Sequence, residues 1–164
     1  MLRKITILLV CLLLLSFASV GHAKIEKKYD DFKGYTTIIS KQDYVGPWDL
    51  FMFFKGVGYE SSGNATYMFA PYMVDKEWWF FSEKDAEIKI NGKIYPLRVI
   101  DTDSKILSAR ALRTSASIVV PPEVIALISK DADIILRVYS RNRGYVTWTV
   151  PPSVLEEWEK VINM

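Results

Sequence analysis

Cysteine and histidine are almost missing from this chain. Cys11 and His22 are the only ones, and both fall within the first 23 residues. That opening segment reads as an export signal. Arg3 and Lys4 give it a positive start, and Ile5–Leu15 is nearly unbroken apolar sequence. Gly21-His22-Ala23 then puts small residues at the two positions a signal peptidase inspects. The expected organisation is a signal peptide over residues 1–23 and one β-rich domain over residues 24–164, delivered to the periplasm or the extracellular space. Cys11 is not read as a lipid attachment point, because Val10 stands before it where such a signal needs a small residue. An uncut membrane anchor is the alternative. Its apolar stretch, Ile5–Val20, is shorter than the roughly 20 residues a spanning helix needs.

Each absence excludes something. Once the leader is gone no disulfide is possible, and the core alone must hold the fold. Without thiolate or imidazole, the common zinc sites and Cys- or His-centred catalysis are out of reach. Neither a cofactor nor a metal is expected. Charge of one sign is missing too. The formal +2 of the whole chain is carried by Arg3 and Lys4, which leave with the signal. With no basic run there is no reason to expect nucleic acid. Gly56-Val57-Gly58 is too little to make a phosphate-binding loop.

What remains is a succession of short strands. Tyr35–Ser40 is rich in threonine and isoleucine. Asp49–Lys55 is apolar at every other position and in between, so at least part of it should be covered on both faces. A loop is expected at Gly56–Gly63 and a strand over Asn64–Met73, which Pro71 should end or bend. Glu77–Phe81, Lys105–Arg113 and Ser117–Val120 are further strand candidates. The clearest local signal is Asn91-Gly92 between two alternating runs, the preferred two-residue hairpin turn. Pro96 lacks a donor and pushes its strand toward an edge or a bulge.

The last fifty residues repeat a device. Ile118–Ile125 and Trp148–Leu155 each run from a strand into Val-Pro-Pro and on into a helical pattern. The first proline holds the preceding valine extended, and the second suits the first helical position. The helices are expected over Pro122–Ser129 and from Pro152 on. In the second, Val154, Leu155, Trp158, Val161 and Ile162 share one face. Between the two copies, Ile134, Leu136 and Val138 should face inward, as should Val146, Trp148 and Val150 on the strand after the Arg141–Gly144 turn. The fold class is mainly β: an antiparallel sandwich or partly closed barrel with two short helices near the C-terminus. An α+β sheet with both helices on one face is the alternative.

The candidate site residues are Trp48, Trp78, Trp79, Arg141 and Arg143. In Trp78-Trp79-Phe80-Phe81, strand alternation puts Trp78 with Phe80 and Trp79 with Phe81. An exposed pair of this kind is a platform for a sugar ring or an apolar partner. The plainer reading makes them core, since aromatics supply most of the core in a small domain without disulfides. Trp48 follows Gly46-Pro47 in an expected turn and should be partly exposed. Arg141 and Arg143 can grip a carboxylate or phosphate, or simply cap a solvated hairpin tip. The acid pairs Asp101/Asp103 and Asp131/Asp133 are placed in turns. They would suit a two-carboxylate hydrolase only if they faced each other across about 5 to 10 Å.

These observations favour a non-enzymatic binding or interaction module of the envelope or extracellular space. An envelope protein or a glycan would be its partner. A carboxylate-dependent hydrolase is one alternative. A subunit completed by its partner, with an unpaired edge at Asn64–Met73, is the other.

Overall fold

The computed structural model describes residues 24–58 and 65–164. The leader and Asn64 lie outside the described residues. Nine strands form one antiparallel sheet: β1 (Lys24–Asp30), β2 (Tyr35–Val45), β3 (Trp48–Gly58), β4 (Ala65–Asp75), β5 (Phe81–Ile90), β6 (Lys93–Ser108), β7 (Ala111–Val120), β8 (Ile134–Ser140) and β9 (Gly144–Thr149). The helices are α1 (Pro122–Ile125) and α2 (Pro152–Asn163). The strand order is β1-β2-β3-β4-β7-β6-β5-β8-β9. The fold is thus mainly antiparallel β, in a sheet that does not close.

The sheet curls on itself. β9 stands six strands from β3, which would separate them by about 29 Å if the sheet were flat. Instead the Trp148 ring of β9 lies 4.5 Å from that of Phe51 on β3. α2 fills the space between, as its amphipathic pattern predicts. Val154, Leu155, Trp158 and Val161 are buried. Trp158 meets Phe53 at 5.3 Å and Phe69 at 4.8 Å. Both Val-Pro-Pro switches behave as expected. Pro121 and Pro151 are extended N-caps, with Pro122 and Pro152 starting the helices. α1 is shorter than expected, closing as a turn after Ile125 rather than continuing to Ser129.

Local turn chemistry is also as expected at Asn91-Gly92, where both residues take positive φ, 49° and 86°. Asn91 Oδ1 accepts the Asp133 amide at 2.9 Å, tying the Asp131–Asp133 turn to this hairpin. Pro96 sits in β6 opposite Glu87 of β5, before the β6–β7 ladder begins at Arg98↔Val119.

Several expectations are corrected. Pro71 does not end β4. The β4–β7 ladder skips Ala70 and Pro71 and resumes in the same register at Tyr72↔Ser115. β4 is an interior strand, so the proposed free edge at Asn64–Met73 does not exist. The edges are β1 and β9. β3 continues through Gly58 into the expected loop. Lys105–Arg113 is not one strand but a hairpin turning at Ala109-Arg110, with Ser108 opposite Ala111. Asp101 and Asp103 therefore sit in strand β6, not in a turn. Glu77–Phe80 is a connection, and only Phe81 of that candidate begins a strand.

Candidate functional site

The connection from β4 to β5 must cross over β7 and β6, which stand between them. Residues Lys76–Phe80 make that crossing as a strap, and the strap is hydrogen-bonded along its length. Asp75, the last residue of β4, starts it. Its carboxylate accepts the amides of Lys76 at 2.6 Å and Glu77 at 3.4 Å, and the Trp79 indole N–H at 2.9 Å. The Trp79 bond, reinforced by the two amides and by Arg143, outweighs partial burial. It holds the Asp75 carboxyl below its usual range. From beneath, Thr114 Oγ1 of β7 donates to the Trp79 carbonyl at 3.0 Å and Ser104 Oγ of β6 at 3.4 Å.

The far end of the strap is held by the β8–β9 hairpin tip. Asn142 Nδ2 donates to the Trp78 carbonyl at 2.8 Å and Arg143 Nε donates to the same oxygen at 3.0 Å. The Phe80 amide donates to Asn142 Oδ1 at 3.1 Å, and the Arg141 amide donates to the Phe80 carbonyl at 2.8 Å. Arg143 also pairs with Glu77 and lies 5.5 Å from the Trp79 ring. Arg141 pairs with Glu83 at 2.6 Å.

Held at both ends, the strap presents its aromatics in two directions. Trp78 and Phe80 stack at 5.5 Å with their planes 7° apart, and Phe80 is 44% exposed. Trp79 is half-buried against the core. Phe81 is buried against Trp48, edge on, at 5.7 Å. The alternation expected from a strand survives, although a hydrogen-bonded strap and not a strand produces it.

Four of the five candidate residues, Trp78, Trp79, Arg141 and Arg143, are therefore brought together. Trp48 is not among them. It is 2% exposed and belongs to the core, packed edge on against Phe81 at 5.7 Å. The acid pairs do not meet. Asp133 is tied to Asn91 at the start of β6, and Asp101 lies eight residues beyond Lys93 along that strand, about 27 Å away. Asp103 is held by Arg113 and by Lys105 at 3.4 Å. No cluster of three or more metal-ligating side chains occurs among the described residues.

A second aromatic pair on the same hairpin is not among the sequence-derived candidates. Tyr139 and Tyr145 face each other across the β8–β9 rung next to the tip, with ring centres 6.0 Å apart. Arg137 lies 4.5 Å from the Tyr145 ring, and Tyr139 donates to Glu87 at 2.9 Å. The signal was present. If Val146 and Trp148 face inward, Tyr145 faces outward, and so do Arg137 and Tyr139.

Comparison with protein-family models, with curated proteins and with solved structures finds no match. No helix among the described residues is long and apolar enough to cross a membrane.

Proposed function

We propose that the protein is an exported, non-enzymatic binding module that engages a glycan or protein of the cell envelope. Its contact surface is the Lys76–Phe80 strap and the Arg141–Arg143 tip. The observation that carries this reading is the Trp78–Phe80 stack. Its rings are held parallel on a strap anchored at both ends, with Phe80 left open to solvent. An aromatic surface fixed in advance loses little conformational entropy on binding, and so more of its contact energy appears as affinity. Arg141, 58% exposed at its side chain, supplies a hydrogen-bonding rim that a ligand carboxylate or hydroxyl can share with Glu83.

The test is retention of envelope material by immobilised protein. Trp78→Ala and Phe80→Ala should each weaken retention about tenfold, as central aromatic anchors do. Phe32→Ala, which removes a fully exposed ring in the β1–β2 turn, should leave it unchanged. Retention that survives protease treatment of the envelope fraction assigns the ligand to glycan, and retention that is lost assigns it to protein. Equal retention by wild type and both strap variants would remove this surface from the function.

A further inference from the structure

Besides the outermost strands β1 and β9, a third edge opens inside the sheet. β6 changes partner part-way along. Lys93–Leu97 pair with β5 on one side, and Arg98–Ser108 pair with β7 on the other. The β5–β6 ladder stops at Ala86↔Leu97, so beyond that rung no described strand is paired with β6 on its β5 side. In an antiparallel ladder every second residue turns both its N–H and its C=O away from the partner strand. On this stretch of β6 those groups meet no backbone partner among the described residues. The strap bonds the Ser104 hydroxyl and leaves the backbone edge alone. Ile100 and Leu107 are extra residues that bulge from the ladder, and between them Asp101–Ile106 keeps an unbroken register with β7. That segment is as long as an ordinary strand.

A cavity of about 620 Å³ adjoins the start of this edge, walled by Arg98–Thr102 of β6 and by Glu83 of β5. It is the wedge left where the two strands part. Glu83 is paired with Arg141, whereas Arg98 and Asp101 have no ionic partner among the described residues.

The backbone points to the occupant. A row of unpaired N–H and C=O groups at strand spacing is matched by another extended chain, which offers the same groups at the same spacing. The other two edges are defended. β1 carries Lys24, Lys27 and Lys28, and β9 runs into Val150-Pro151-Pro152. Lysine and proline on an edge discourage pairing. The regular segment of β6 has one lysine, Lys105, and no proline.

We infer that Asp101–Ile106 of β6 is a strand-addition site for an extended segment of a partner protein. The added strand takes the place beside β6 that β5 gives up, and one of its side chains enters the cavity. Arg98 and Asp101 call for a polar side chain there. Asparagine or glutamine can accept from the first and donate to the second.

The probe is a phage-displayed library of random peptides of about twelve residues, selected on the purified protein. Selected peptides should slow amide exchange, read by NMR, within Asp101–Ile106. N-methylation at every second peptide position should weaken binding about tenfold per site, and at the intervening positions should leave it unchanged, because only alternate N–H groups face β6. Thr102 shares a rung with buried Ala116 and so points inward. Thr102→Lys, an inward-pointing charge of the kind that blocks edges, should abolish binding. Thr147→Lys, on the exposed side of β9, should not. Circular dichroism verifies that both variants fold. A library that yields no binder, or binders that leave Asp101–Ile106 unprotected, overturns the inference. So does binding that tolerates N-methylation at every position, or that survives in folded Thr102→Lys. Protection of the same amides on concentrating the protein alone assigns the edge to a second copy and overturns the partner.

Discussion

Single positions show how much depends on space that the sequence does not reveal. Gly46 and Gly92 both take positive φ, 57° and 86°. A methyl group on Gly92 would meet nothing within 4 Å, but on Gly46 it would lie 2.6 Å from Trp148 Cδ1. That indole is packed against Phe51 and Trp158 and has nowhere to retreat. Gly92→Ala should therefore cost only the backbone term, about 1 kcal/mol, and Gly46→Ala roughly twice to three times that, by urea denaturation. Trp158→Ala should be worse, about 3 to 5 kcal/mol, since it empties the centre of the aromatic cluster. The burial of Trp158 was legible from its place on the apolar face of its helix. That of Trp48 was not. Its partner Phe81 stands far along the chain, and nothing local to Gly46-Pro47-Trp48 announces it.

Elements built from local chemistry were readable, and elements built from long-range contact were not. The Asn91-Gly92 hairpin and both Val-Pro-Pro switches follow from the φ demands of a few adjacent residues. The strap follows from topology, because β4 and β5 are not neighbours and the chain must bridge the gap. Its aromatic run looked like a strand because alternate exposure is all that sequence can report. The strap also carries an acid sensitivity. The Asp75 carboxyl is depressed by its Trp79, Lys76 and Glu77 partners, so its folded value lies below the unfolded one of about 3.9. The anchoring it provides is complete above that unfolded value and is lost as pH falls through the folded one. Trp79 fluorescence should thus be flat from neutrality to about pH 4 and shift below it. Asp75→Asn should remove that acid shift.

At the scale of the whole molecule, residue patterning was enough to read mainly antiparallel β, short helices toward the C-terminus and inward faces for β8 and β9, all present. Strand order was beyond its reach, since period-two patterning says which face a residue takes and nothing about its neighbours. The candidate site was half legible for the same reason. Trp78, Trp79, Arg141 and Arg143 were recognisable as residue types, but only the β5–β8 pairing brings the strap to the hairpin tip. The doubly apolar β3 was the most telling case. One cover came from α2, and on the other face Leu50, Met52 and Phe54 stay half-buried.

The curl of the sheet sets an order of events. Phe51 and Phe53 find their cover in Trp148 and Trp158, about a hundred residues later in the chain. Contacts so distant in sequence are slow to form, because the intervening chain must first be confined. A polypeptide emerging amino end first can zip β2, β3 and β4 into a meander, yet that meander stays greasy on both sides until α2 arrives. For that interval its apolar surface leaves the growing chain open to aggregation.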